Sequence, residues 1–142
     1  MRQRRNETAG HSLMEMLVAL AVCAILATAG MQGWHSLARS QRRAEGRAAL
    51  LAAMQQQERH YSRHGRYQPF DAAAPGAFRW HSGPTPPGSA YLVDAAACEG
   101  ETLQRCVLLA ARPRHDDPAC GTLRLDSRGR RAADGNPDLC WP

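Results

Sequence analysis

The chain has 142 residues, with 18 Lys+Arg against 13 Asp+Glu and five Cys. That length suits one domain, and roughly the last 75 residues are left for a head, whose thin core calls for staples. No nucleophile, base and orienting group converge, and no phosphate-binding Gly loop appears, so neither an enzyme nor a cofactor is expected.

All 18 basic residues are Arg. Arg can fork onto phosphate, which points to nucleic acid, while a coding bias that also raises Ala and Gly accounts for the same fact. Residues 1–10 carry three Arg and one Glu, so their removal lowers the net charge from +5 to +3.

Residues 1–10, MRQRRNETAG, are polar, with Arg2, Arg4 and Arg5. From Leu13 to Trp34 the only formal charge is Glu15. Those residues, about 22 in helical conformation, match a hydrocarbon core of about 30 Å, and Trp34 falls where an interfacial aromatic belongs. A secretory signal peptide competes, with Ala27-Thr28-Ala29 as its cleavage site. Against it, the apolar run continues past that site and a carboxylate sits near its start. Arg39, Arg42 and Arg43 follow the span, so charge alone does not orient it. A cytoplasmic leader is expected because the later cysteines then reach the periplasm.

The helical pattern continues. From Ser36 to about Ser62 there is no Pro and only one Gly, Gly46. Leu37, Ala44, Ala48 and Leu51 recur at helical spacing and predict the buried face, with Arg39, Arg42, Arg43 and Arg47 largely on other faces. One helix is expected from about Ser12 to His64, stopped by Gly65 and kept from resuming by Pro69. Beyond Phe70, Pro and Gly punctuate short segments. Ala77–His81, Ala90–Asp94, Arg105–Ala111 and Thr122–Asp126 read as strands, and Ser127-Arg128-Gly129 as a turn. The tail from Arg130 has no periodicity. A long helix followed by hairpin-connected strands predicts an α+β fold, a small antiparallel sheet packed on the helix.

Cys98, Cys106, Cys120 and Cys140 read as disulfides, in any of three pairings. No Cys-x-x-Cys pair is present to favour zinc. Cys23 reads as a small apolar packing residue. His60 and His64 stand four apart without a Glu between them, and Asp116-Asp117 has too few acidic neighbours for calcium, so no metal is expected. Tyr61, Tyr67 and Trp80 read as packing residues.

The stretch Gly10-His11-Ser12-Leu13-Met14-Glu15 before the apolar run resembles the type IV prepilin signature. Gly10, Leu13 and Glu15 match it, Ser12 replaces Thr, and His11 stands where Phe is usual. The resemblance implies cutting after Gly10 by a prepilin peptidase, methylation of the new amino terminus at His11, and assembly through the helix. A lone carboxylate in hydrocarbon costs about 2.5–3.5 kcal/mol. The amine freed on His11 of one subunit could offset this by pairing with Glu15 of its neighbour, which would set axial register.

The segment Cys120-Gly-Thr-Leu-Arg-Leu-Asp-Ser-Arg-Gly-Arg with Cys140-Trp141, and the segment Glu58 to Tyr67, resemble the PilE-type branch. That resemblance implies a Cys120–Cys140 bridge closing the C-terminal loop, which leaves Cys98 with Cys106. The organisation then reads as a leader at 1–10, a transmembrane and filament-stem helix at 11–34, its amphipathic continuation at 35–65, and a head at 66–142.

The reading is a minor-type subunit of a bacterial type IV pilus, serving pilus biogenesis, adhesion, twitching motility or DNA uptake. Its partners would be other pilin subunits, the prepilin peptidase, the inner-membrane assembly machinery, the membrane, and DNA or surfaces. It would sit in the inner membrane with a periplasmic head, then in the extracellular pilus. Two rivals stay open: a type II secretion pseudopilin, which shares the N-terminal motif, and a DNA-uptake receptor pilin. In the latter, Arg112, Arg114, Arg124, Arg128, Arg130 and Arg131 would meet phosphates.

Overall fold

The computed structural model describes residues 13–142, and the side chains of residues 29–33 lie outside it. In chain order the elements are α1 (Leu13–His64), β1 (Tyr91–Ala97), β2 (Val107–Pro113), β3 (Leu123–Asp126), β4 (Arg131–Ala133) and α2 (Pro137–Cys140). The chain divides after Ala38 into two compact units.

In the first unit the described residues are helical, and Leu13, Met14, Leu17, Val18, Leu20, Ile25 and Leu26 are exposed. Among the described residues no helix is long and apolar enough to cross a membrane. The expected span runs on through residues 29–33, whose side chains lie outside the described ones. Cys23 is a free thiol, exposed like the apolar side chains around it.

In the second unit the sheet is an antiparallel meander in the order β1-β2-β3-β4. Tyr91 pairs with Pro113 and Ala97 with Val107; Leu109 opposes Leu125; Leu125 opposes Arg131. The period of two sends Tyr91, Val93 and Ala95, then Val107, Leu109 and Ala111, then Leu123 and Leu125 into one core with Ala49, Leu50 and Ala53 of α1.

This overturns the expected helix face. Ala44, Ala48 and Leu51 are exposed, and the buried positions are Gly46, Ala49, Leu50, Ala53 and Gln57. Apolar periodicity fails here because the true inner face carries polar groups with partners inside the fold. Arg43 forks onto Asp117 (2.8 and 2.6 Å), Arg47 donates to Cys140 O (2.8 Å), and Ser82 Oγ donates to Glu45 (2.5 Å). Gln57 accepts from Gln68 N–H and donates to Gln68 O. A moment computed on side-chain polarity reads each of these residues as outward-facing.

Gly46 also belongs to this face. A Cβ there would lie 2.9 Å from Tyr91 Cδ2, so the missing side chain is what lets the Tyr91 ring lie against the helix. α1 ends at His64, and Gly65, with φ of 67°, donates to Tyr61 O.

Residues 77–81 do not form the expected strand. Only His81 bridges to Leu92, while Phe78 N–H turns back to Pro75 O and is lost to the ladder. The strand expected at Arg105–Ala111 starts at Val107, because Arg105 and Cys106 both donate to Thr102 O in a turn. The tail contributes β4 and α2. Asn136 caps α2 by accepting from Asp138 N–H, Pro137 opens it, and Trp141 Nε1 donates to Ala132 O. Short capped elements of three and four residues leave no periodic signal.

Candidate functional site

Of the N-terminal motif, Gly10 and His11 lie outside the described residues. Leu13 opens α1, and Glu15 is the acidic residue of its first turn; both are exposed.

At the C-terminal end Cys120 is bonded to Cys140 and Cys98 to Cys106, with Cα–Cα distances of 5.6 and 5.4 Å. The loop that Cys120–Cys140 closes is tied at several points. Asp134 accepts from Thr122 N–H and Arg124, which hold its carboxyl below the usual range. Gly135 packs so closely that a Cβ would meet Ala119 O at 1.8 Å. Cys98, Cys106 and Asp126 are close enough to suggest a metal group, but both sulfurs are used in the bridge and no thiolate is left to ligate.

The two carboxylates of the acidic pair Asp116-Asp117 meet different surroundings. That of Asp117 is buried and taken by Arg43, whose paired hydrogen bonds outweigh desolvation and hold it below the ordinary carboxylate range. Asp116 is exposed, so the two do not share one concavity. Tyr91 sits beside this pair, fully buried, and burial first, then Asp117, pushes its phenol up to about 12. Arg43, Glu45, Arg47, Gln57 and Asp117 were all missed as structural anchors in the sequence. The available signal was the i, i+4 spacing of Arg43 and Arg47 on a helix with a buried acid beside Cys120.

The six arginines expected to meet phosphate are not gathered into one free patch. Arg112 pairs with Asp94 (2.7 Å), Arg124 with Asp134 (2.6 Å), Arg130 with Asp126 (2.5 Å), and Arg128 with Glu101. Arg114 donates to Pro86 O and Pro87 O, and Arg131 lies 5.4 Å from the Trp141 ring centre. Asp126 is desolvated, yet N–H groups of Arg130 and Arg128 and the Arg130 guanidinium keep its carboxyl below its ordinary value. Near the end of α1, Arg59 and Arg63 have no such partner among the described residues. Arg59 and Arg63 are exposed one turn apart, and His60 and His64 stack with ring centres 4.1 Å apart.

Residues 34–124 match the family described as "Type IV minor pilin ComP, DNA uptake sequence receptor". The chain belongs to this minor-pilin family. Residues 5–31 match the prokaryotic N-terminal methylation motif, which overlaps the leader and the start of α1. A type IV pilin from Shewanella oneidensis is 31% identical over 72% of this chain and 96% of that one, with a TM-score of 0.48. No curated protein matches. The minor-pilin match takes in α1 beyond the stem and the sheet as far as Arg124 inside β3, and stops short of Cys140.

Proposed function

We propose that the protein is inserted in the inner membrane, cut after Gly10, methylated on His11, and built into a type IV pilus through the helix that begins at Leu13. The observation that carries this is the pairing of a methylation motif at 5–31 with a minor-pilin match at 34–124 in one chain. The secretion-pseudopilin alternative is not favoured by that match. The leader (1–10), stem (11–34), helix continuation (35–65) and head (66–142) act in sequence. The peptidase removes the first, the second packs with membrane and then with other subunits, and the last two display a surface. The exposed apolar side chains from Leu13 to Leu26 support a stem that needs apolar surroundings at both stages.

Glu15 is the register element of the stem. Its carboxylate pairs with the His11 amine of a neighbouring subunit, an interaction that exists only after cleavage. Glu15→Val tests this by the amount of subunit recovered in sheared pili. A strong fall, with the membrane pool unchanged, supports the pairing; normal incorporation refutes it.

DNA is the ligand this reading favours, in keeping with the family's description. The C-terminal arginines are held by carboxylates and carbonyls, so a phosphate recruiting any of them must compete with an existing partner.

A further inference from the structure

We propose that the cleft between the last turns of α1 and residues 77–78 takes a DNA backbone phosphate on Arg59 and Arg63, and that protonation of His60 tightens this contact. This rests on the DNA reading above and adds a place and a regulation to it.

Positive charge is unevenly spread over the second unit. Residues 39–66 hold seven Arg against two Asp+Glu, whereas residues 67–142 hold eight Arg against nine. The positive excess of the second unit therefore lies on α1, not on the sheet or the closing loop. The cleft has a volume of about 350 Å³, and no carboxylate lines it. Arg59 and Arg63, at i and i+4, share one helix face and have no acid partner among the described residues. The nearest acids are occupied elsewhere: Glu58 accepts from Tyr67 OH, and Asp71 accepts from Ala73 and Ala74 N–H.

The remaining lining supplies donors and rigidity. Gln56 uses its carbonyl to accept Arg79 N–H (2.8 Å), which leaves its amide N–H groups as donors. Phe78 stacks on Phe70 at 5.1 Å and meets His60 edge-on at 5.8 Å, fixing the loop against the helix. The C-terminal end of α1 carries only about half a negative charge, which is less than two guanidinium charges supply.

His60 is faced by Arg59, Arg63 and His64 on α1, by Arg66 beyond its end, and by the uncharged Phe78. The Arg79 guanidinium is turned to His81 O and Gly83 O. Burial, then His64, Arg66 and Arg63, hold the His60 imidazole below its usual range. An anion seated between Arg59 and Arg63 screens that repulsion and favours the imidazolium. By linkage the anion then binds more tightly as pH falls through the His60 range.

The test uses the full chain in neutral detergent and a short double-stranded oligonucleotide, with affinity followed against salt at about pH 7.5 and about pH 5.5. The double variant Arg59→Gln/Arg63→Gln is expected to reduce the salt slope by about one, the share of a single neutralised phosphate. His60→Gln is expected to lose most of the tightening between the higher and the lower pH. In NMR titrations the oligonucleotide should raise the His60 pKa by about half a unit or more, equivalent to about threefold tighter binding to the protonated form. Wild-type binding with an unchanged slope in the double variant, or a His60 titration that DNA does not move, overturns this inference and leaves the DNA reading standing. No binding by the wild type at low salt overturns both.

Discussion

Gly46→Ala is the substitution for which local and tertiary preferences disagree most plainly. In a helix interior, Ala is favoured over Gly by about 0.8–1.0 kcal/mol. Considered alone, the change stabilises. In the fold, the new methyl would stand 2.9, 3.0 and 3.0 Å from Cδ2, Cε2 and Cγ of Tyr91, well inside contact distance. The obstacle is the body of a fully buried ring, which also packs edge-on to His115 at 5.7 Å and cannot swing aside as the tip of a flexible chain would. Overpacking of this kind costs about 1–3 kcal/mol, so after the propensity gain the net effect expected is a loss of up to about 2 kcal/mol. Urea unfolding of the full chain in neutral detergent, followed by Trp fluorescence, measures it. The sharper form is a double-mutant cycle. With the ring removed in a Tyr91→Leu background, Gly46→Ala should change sign and stabilise by about the helix-propensity amount. Stabilisation by Gly46→Ala in the wild-type background would refute the claim that this glycine makes room for Tyr91.

Asp117→Ala leaves Arg43 without its buried partner and should cost about 3 kcal/mol. The same carboxylate, with Asp126 and Asp134, gives the acid response. All three are held below their unfolded values, so their contribution is present above about pH 4. It is lost as pH falls through the lower folded values, and Asp117→Asn should flatten an unfolding-midpoint profile in that window; an unchanged profile argues against the pair. Replacing Cys120 and Cys140 together with Ser opens a bridge across 20 residues and should cost about 2–4 kcal/mol in denaturant melts. A cost near zero would mean that Asp134, Gly135 and Arg47 close the loop without it.

The α+β architecture was legible because its signals are local. A helix without Pro, a Gly at its end, and alternation in Leu123–Asp126 each act within a few residues. The inner face of α1 was not legible, since Arg43, Glu45, Arg47 and Gln57 are held there by partners 11 to 93 residues away. The same distance effect hid the state of the C-terminal arginines. In sequence Arg112, Arg124 and Arg130 read as free cations; in the fold the β1–β2 register brings Asp94 beside Arg112, the β3–β4 pairing brings Asp134, just past β4, beside Arg124, and the turn at Asp126 catches Arg130. Residues 77–81 have strand composition but lose their ladder to a turn at Pro75, which is a backbone matter that composition does not record.

The proposed assembly depends on processing at Gly10, because only cleavage there would create the amine proposed to pair with Glu15. Mass spectrometry of the protein recovered from sheared pili tests this most directly. The expected result is an N-terminal peptide that begins at methylated His11 and a mature chain without residues 1–10. A mature chain that retains Met1 would contradict it.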